Sequence, residues 1–364
     1  MAAEGGAAPA ALQPGLVVAL QANYCWVLLD RPGPAGATRL LCTRRTRLAK
    51  SGQMICVGDR VGVNGIDWGS ARGAVAALEP RAGLLERPAV ANVSLVVVVV
   101  ALAEPALDPL QLTRFLITAE TTGQPVQLVF SKADLLPAAE VEAWCRRVSD
   151  WGYPALAIST HRRQGLEELR QRLSQPGLAV ICGPSGVGKT SLLNALCPEL
   201  GLRVAAVSGR LQRGRHTTRH VELFPLAPGA LVADTPGFNR PELPGDPALL
   251  PALFPEVRQR LAAASCRFSD CLHQGEPGCV VGCDWERHGW YSTCLAGIRD
   301  HVERQERLGT RPAQPGLRRR GDRLEPRLDP QLRQASRRRQ RQQAWQESRE
   351  EDQLGSLSPP DPAG

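Results

Sequence analysis

Gly183-Pro184-Ser185-Gly186-Val187-Gly188-Lys189-Thr190 fits the pattern GxxxxGK[ST] and stands between an apolar run, Leu178–Cys182, and a helical stretch, Thr190–Leu196. A strand that breaks into such a loop and resumes as a helix commits the chain to an α/β sheet with a phosphate cradle at its edge. The glycines let backbone N–H groups turn inward around phosphate oxygens. Lys189 adds a point charge toward the β and γ phosphates, and the Thr190 hydroxyl can ligate Mg²⁺. The segment predicts a site for a nucleoside triphosphate with its Mg²⁺.

Three further motifs surround it. Asp234-Thr235-Pro236-Gly237 ends the next hydrophobic strand, Ala230–Ala233, where an Asp can hold Mg²⁺ through water and Gly237 can bring a backbone N–H to the γ-phosphate. Ser131-Lys132-Ala133-Asp134 follows the strand Val126–Phe130 and resembles the guanine-recognition motif NKxD, with Ser131 in place of Asn. The Asp134 carboxylate can accept both the N1–H and the exocyclic amine of guanine, a pairing that adenine does not offer, while the Lys132 stem packs along the base. Ser159-Thr160, after the strand Ala155–Ile158, resembles the short backbone-contact motif that completes a guanine pocket. Guanine is the expected base. The order is the reverse of an ordinary GTPase, since the base motif precedes the phosphate loop, so the domain reads as circularly permuted.

Between the phosphate loop and Asp234, the stretch Leu211-Gln-Arg-Gly-Arg-His-Thr-Thr-Arg219 occupies the place of a first switch, where Thr217 or Thr218 would close over Mg²⁺ and the γ-phosphate. Phe238 stands where many GTPases carry a water-orienting glutamine. His216 is the nearest substitute able to orient or deprotonate the attacking water; the competing reading makes His216, Arg213 and Arg215 a basic loop touching RNA phosphates.

Upstream, Leu16–Leu20, Cys25–Leu29, Arg39–Thr43, Asp59–Val63 and Ala74–Leu78 are short β-type runs separated by turn residues that include Asn64-Gly65. Five such strands suit a small closed barrel, of OB or SH3-like type. From Leu84 to Arg240 strands alternate with helices, among them the buried run Val93–Leu102 and helices near Leu110–Thr121, Ala138–Asp150 and Leu166–Leu173, which predicts a parallel, doubly wound sheet.

The C-terminal third is different in kind. Cys266, Cys271, His273 and Cys279 offer three thiolates and an imidazole within a short span, a donor set that suits tetrahedral Zn²⁺ in a closed structural site; Cys283 could replace Cys279. After Thr310 the chain is dominated by Arg, Gln and Pro and reads as a mobile or conditionally helical extension. The net charge of +8 is concentrated there, because Arg318 to Arg341 holds ten arginines against Asp322, Glu325 and Asp329. Such tails bind polyanions or stay solvated. No apolar stretch reaches the roughly 18 residues of a spanning helix, and MAAEGGAAPA lacks the form of a signal peptide, so a cytoplasmic protein is expected.

Taken together, Arg87-Pro88, Ala91-Asn92-Val93, SKAD before GPSGVGKT, GRHTT, DTPGF and CxxxxCxHxxxxxC resemble the ribosome small-subunit-dependent GTPase A family, RsgA or YjeQ, from about Leu16 to His301. The resemblance implies an OB-fold over 14–80, a circularly permuted GTPase domain over 84–241, a helical zinc-binding domain over 242–307 and an unmatched basic tail over 308–364. It implies GTP hydrolysis to GDP and phosphate, stimulated by the small ribosomal subunit, in late maturation of that subunit, by a monomer that contacts ribosomal RNA. Ser131 to Asp134 would contact guanine, Gly183 to Ser191 the phosphates, and His216 would be the catalytic group. The alternatives are an RNA-binding assembly scaffold with little hydrolysis, or an ATP-using P-loop phosphotransferase.

Overall fold

Alternating apolar and polar residues near the N-terminus form five strands in the computed structural model, which describes residues 12–21, 23–44, 54–86, 89–198, 221–234, 241–307, 317–320 and 323–326. They are β1 (Gln13–Gln21), β2 (Tyr24–Leu29), β3 (Arg39–Arg44), β4 (Arg60–Asp67) and β5 (Arg72–Leu78). They pair in the order β1-β2-β3-β5-β4, and β4 returns to β1. Only the β3–β5 contact is parallel. The inward positions Val17, Cys25, Val27, Leu40, Cys42, Val61, Val63 and Val75 are all wholly buried, so the ring encloses a packed core. This closure is the Greek-key barrel of OB type. Asn64-Gly65, expected as a turn, instead lies inside β4. Gly65 takes φ +58°, the pairing with β5 slips between Asn64 and Asp67, and the positive φ makes a bulge, with the reversal at Trp68–Ala71.

A hairpin of β6 (Leu84–Glu86) and β7 (Ala89–Ala91) leads into the α/β region. There the chain runs β8 (Leu95–Ala101), α1 (Pro109–Glu120), β9 (Val126–Ser131), α2 (Ala138–Asp150), β10 (Ala155–Ala157), α3 (Leu166–Leu173), β11 (Gly177–Cys182), α4 (Lys189–Leu196), β12 (Glu222–Ala227) and β13 (Ala230–Asp234). The strand order is β10-β9-β8-β11-β13-β12, parallel except for the β12–β13 hairpin. Along β8 the side chains divide by parity. Val96, Val98 and Val100 pack with Leu112 and Phe115 of α1 and Val148 of α2, whereas Val97 and Val99 pack with Leu169 of α3 and Leu192 and Leu193 of α4. A strand covered on both faces must be apolar at every position, which explains the unbroken valine run. β12 also pairs with β1 at Glu222 and Ala19, so barrel and nucleotide sheet share one hydrogen-bonded surface.

Beyond the sheet come α5 (Pro255–Ala263), the Cys/His loop and α6 (His288–Arg307). Arg287 fastens this region to the sheet. Its guanidinium is wholly buried, donates to both carboxylate oxygens of Glu256, and lies 4.7 Å from the Phe254 ring, 5.1 Å from Trp151 and 5.4 Å from Tyr153. Beside it Glu286 accepts from Trp151 Nε1 at 2.7 Å and from Arg147. The chain divides into two compact units, Met1–Asp300 and His301–Gly364. In the second, β14 (Leu317–Arg320) and β15 (Arg323–Pro326) form an antiparallel ribbon where a helical or mobile extension was expected. Among the described residues no helix is long and apolar enough to cross a membrane.

Candidate nucleotide site and metal centre

The reversed order of motifs in the chain resolves at the sheet. β9 and β11 flank β8 on either side and run parallel to it, so the loops that follow them emerge at the same edge with one strand between. The registers Ala101–Ser131 and Val98–Cys182 fix that offset. Ligand sites of open α/β sheets lie outside the carboxyl ends of such strands. A direct bond joins the two loops. Ser131 is buried, and its Oγ lies 2.6 Å from the Val187 carbonyl and 3.2 Å from the Val100 carbonyl. The shorter of these marks Val187 as the main acceptor of its single proton, so the serine that replaces asparagine still ties the base motif to the phosphate loop.

Lys132 sits at φ +55°, and its ammonium donates to the Glu104 carbonyl. Ala133 N–H donates to the Ile158 carbonyl at 3.0 Å, which docks the base motif on the turn carrying Ser159. Hydrogen bonding from the Ser159 hydroxyl, only partly opposed by burial, holds the Asp134 carboxyl below the usual carboxylate range. It is therefore ionised and able to accept two donors from a purine edge. Ser159 is itself wholly buried and accepts from Arg162 N–H at 2.9 Å.

In the phosphate loop, Gly183, Gly186 and Gly188 take φ of +141°, +83° and +91°. Pro184 and Val187 are buried, while Ser185 is exposed. Lys189 donates to the Gly183 and Pro184 carbonyls at 2.8 and 2.7 Å, so its head stays at the loop it would serve. Thr190 and Ser191 follow it in the first turn of α4. Asp234 ends β13, opposite Ile181 of β11, which sets it beside the root of the loop. His216, Thr217, Thr218 and Gly237 lie outside the described residues. A separate cavity of about 850 Å³, lined by Leu16, Leu28, Leu178, Leu196, Pro225 and Leu231, opens at the other end of β11 and offers no phosphate cradle.

The metal-type cluster is brought together as its spacing suggested. The donor atoms of Cys266, Cys271, His273 and Cys279 all lie within 4.8 Å of one another, and His273 Nδ1 is 3.7, 3.5 and 3.4 Å from the three sulfurs. A tetrahedral Zn²⁺ with ordinary Zn–S and Zn–N bonds would set these N···S separations at about 3.5 Å. The donor set therefore fits the ion in chemistry and in size. Cys283 is exposed and outside the group. Residues that the spacing did not reveal brace the loop: Glu276 accepts from Gln274 N–H at 2.6 Å and Leu272 N–H at 3.2 Å, Tyr291 donates to the Leu272 carbonyl at 2.7 Å, and His288 Nε2 lies 3.1 Å from the His273 carbonyl. Only fold-level contacts could have shown them. Elemental analysis of the full chain is expected to find about one zinc per chain, lost in Cys279→Ser and kept in Cys283→Ser; the reverse pattern would move the fourth ligand to Cys283.

Comparison with known proteins agrees with this geometry. The RsgA GTPase family model matches residues 78–244. A protein of Synechococcus sp. strain CC9605 named small ribosomal subunit biogenesis GTPase RsgA is 60% identical over 281 residues, covering 77% of this chain and 92% of its own. One of the same name from Parasynechococcus marenigrum is 57% identical over 295 residues, covering 81% and 98%. The crystal structure of YjeQ from Thermotoga maritima matches with a TM-score of 0.65 and 29% identity, over 79% of this chain and 98% of that one. YloQ, described as a circularly permuted GTPase, matches at 0.64 and 26% identity, over 80% and 96%. With the guanine motif and phosphate loop meeting across one strand in reversed chain order, and with relatives this similar over nearly their whole length, the chain belongs to the RsgA family of circularly permuted GTPases.

Proposed function

We propose that this GTPase binds the small ribosomal subunit and hydrolyses GTP to GDP and phosphate when the subunit stimulates it, in a late step of subunit maturation. The observation that carries the reading is the Ser131–Val187 bond, because it ties the loop expected to read the base to the loop expected to hold the phosphates. Asp134 reads the guanine edge, with Lys132 along the base and Ala133 and Ser159 closing the pocket. Gly183, Pro184, Ser185, Gly186, Val187, Gly188, Lys189, Thr190 and Ser191 cradle the phosphates. Thr190 and Asp234 would hold Mg²⁺, which would supply charge neutralisation at the phosphates. Thr217 or Thr218 and the Gly237 N–H sense the γ-phosphate, and His216 orients the attacking water. Cys266, Cys271, His273 and Cys279 hold one structural Zn²⁺.

The expected partner is ribosomal RNA, met by the barrel (14–80) and the zinc-bearing region (242–307) on either side of the GTPase domain (84–241). Support comes from the barrel surface, where exposed Tyr24 and half-buried Trp26 lie on β2 and the Arg39 guanidinium stands 5.1 Å from the Trp26 ring. Rings with an adjoining guanidinium suit unstacked bases. The chain acts as a cytoplasmic monomer, in keeping with the ribosomal role its relatives are named for. GTP-ordered switches would fix both flanking regions on RNA and hydrolysis would release them, a coupling refuted if the GTP and GDP forms bind subunits equally.

The test is GTP turnover with and without purified small subunits. Addition of subunits is expected to raise the rate at least tenfold, and His216→Ala to lower the stimulated kcat by about 10²-fold or more while leaving GTP affinity near that of the parent. Equal turnover with and without subunits would leave an RNA-binding scaffold as the better description. Displacement of bound GTP by excess ATP would remove the guanine assignment.

A further inference from the structure

Ser131 brings one proton to a position where an asparagine would bring two. A hydroxyl is a single donor with two acceptor lone pairs, whereas a side-chain amide carries two N–H donors beside its carbonyl. Ser131 is 4% exposed, and its Oγ lies against two backbone carbonyls, 2.6 Å from Val187 and 3.2 Å from Val100. Carbonyl oxygens only accept, so the proton is committed to one of them and only lone pairs remain on the hydroxyl. The groups beside it are committed as well. Ala133 N–H donates to the Ile158 carbonyl at 3.0 Å, and the Lys132 ammonium is held at the Glu104 carbonyl. Asp134, as a carboxylate, accepts only.

Guanine makes different demands at its different edges. Its N1–H and exocyclic amine are donors that suit Asp134, while N7 is an acceptor and needs a donor from the protein. N7 shares the five-membered ring with N9, through which the ribose leads to the phosphates. A base with its donor edge on Asp134 and its phosphates in the loop after β11 must direct that ring toward the junction of the two loops. The Ser131–Val187 bond lies at that junction.

We propose that Ser131 leaves guanine N7 unread. The pocket selects guanine at the Asp134 edge and accepts, as a substrate class, guanine nucleotides in which N7 is replaced by carbon. This rests on the guanine reading proposed above and deepens it. The serine keeps the tie to the phosphate loop and gives up the second donor that an amide would hold toward the base.

The experiment measures binding of the full chain to GDP, 7-deaza-GDP and inosine diphosphate by titration calorimetry. The first analogue has C–H in place of N7, and the second lacks only the exocyclic amine. In the parent, 7-deaza-GDP is expected to bind within about twofold of GDP, and inosine diphosphate at least about tenfold more weakly. Ser131→Asn adds the missing donor and is expected to bind 7-deaza-GDP about threefold to tenfold more weakly than GDP. Ser131→Ala removes the tie and adds no donor, so GDP and 7-deaza-GDP should weaken together. A parent that binds 7-deaza-GDP about fivefold or more weakly than GDP overturns the proposal, and this arm needs no variant to fold. So does a Ser131→Asn chain with the parent's thermal midpoint that still binds the two equally, since N7 would then be out of reach of residue 131. Inosine diphosphate bound as tightly as GDP removes the guanine reading and the proposal with it. Weakened binding of 7-deaza-GDP alone removes the proposal and leaves that reading standing.

Discussion

Gly183→Ala is expected to weaken GDP and GTP binding by more than about 100-fold and to lower the thermal midpoint by several degrees, because the substitution fails twice at one atom. Gly183 takes φ +141°, a conformation that costs a side chain of order 1–3 kcal/mol. An added Cβ would also sit 1.9 Å from the Val99 carbonyl oxygen and 3.0 Å from its carbon. Val99 belongs to the central strand, wholly buried and covered on both faces, so its backbone has nowhere to retreat. The loop must therefore lift away from β8 and carry the inward-facing N–H groups with it. Gly188→Ala is the control: its φ is +91°, but nothing lies within 4 Å of its added Cβ, so only the backbone cost of roughly 1–2 kcal/mol applies, about tenfold in affinity. Titration calorimetry with GDP and thermal unfolding distinguish the two. A Gly183→Ala chain that binds like the parent would mean that the loop does not pass so close to β8.

Much of this pocket is legible in the amino-acid sequence alone. The strand, loop and helix around Gly183 are local features, and so is the helix Ala138–Asp150, whose expected limits match those observed. What periodicity does not reveal is pairing. β12 contains Pro225, which lowers its reading as a strand, and only its place at the junction of β13 and β1 makes it one. The hairpin β6–β7 escapes notice because strands of three residues are too short to show a period. The Ser131 hydroxyl shows the same limit at the site. From sequence it is a departure from asparagine, while its acceptor, the Val187 carbonyl, lies 56 residues away along the chain. The four metal-type donors were legible because they fall in one short loop, yet spacing left Cys279 and Cys283 open, and only the grouping of the donor atoms in space selects Cys279.

Arg287→Ala is expected to cost about 3–5 kcal/mol of stability, the largest loss from any single charge in the C-terminal region, because truncation would leave Glu256 without its partner in a site where that carboxylate is 12% exposed. Sequence gives no hint of this role, since one arginine among 41 looks like any other. The site is demanding. Arg287 is wholly buried, binds both oxygens of Glu256 and touches three aromatic rings, yet its second terminal nitrogen has no hydrogen-bond partner among the described residues. An orphaned donor of this kind is a standing cost, so the guanidinium is not the most stable filling for the space. Arg287→Met combined with Glu256→Leu should therefore recover most of what Arg287→Ala loses, since exchanging a buried pair for apolar groups of similar volume is near neutral or stabilising. Arg287 does, however, join Trp151 and Tyr153 at the end of α2 to Phe254 and Glu256 at the start of α5, and α2 begins just after the guanine motif. The ion pair thus sets how the metal-bearing region docks on the nucleotide domain, a specificity that methionine and leucine would not enforce. Urea unfolding of the parent, Arg287→Met, Glu256→Leu and the double variant closes a double-mutant cycle, with Arg287→Ala measured beside it. A coupling below about 0.5 kcal/mol, or a double variant as unstable as Arg287→Ala, would show that the rings alone carry the docking.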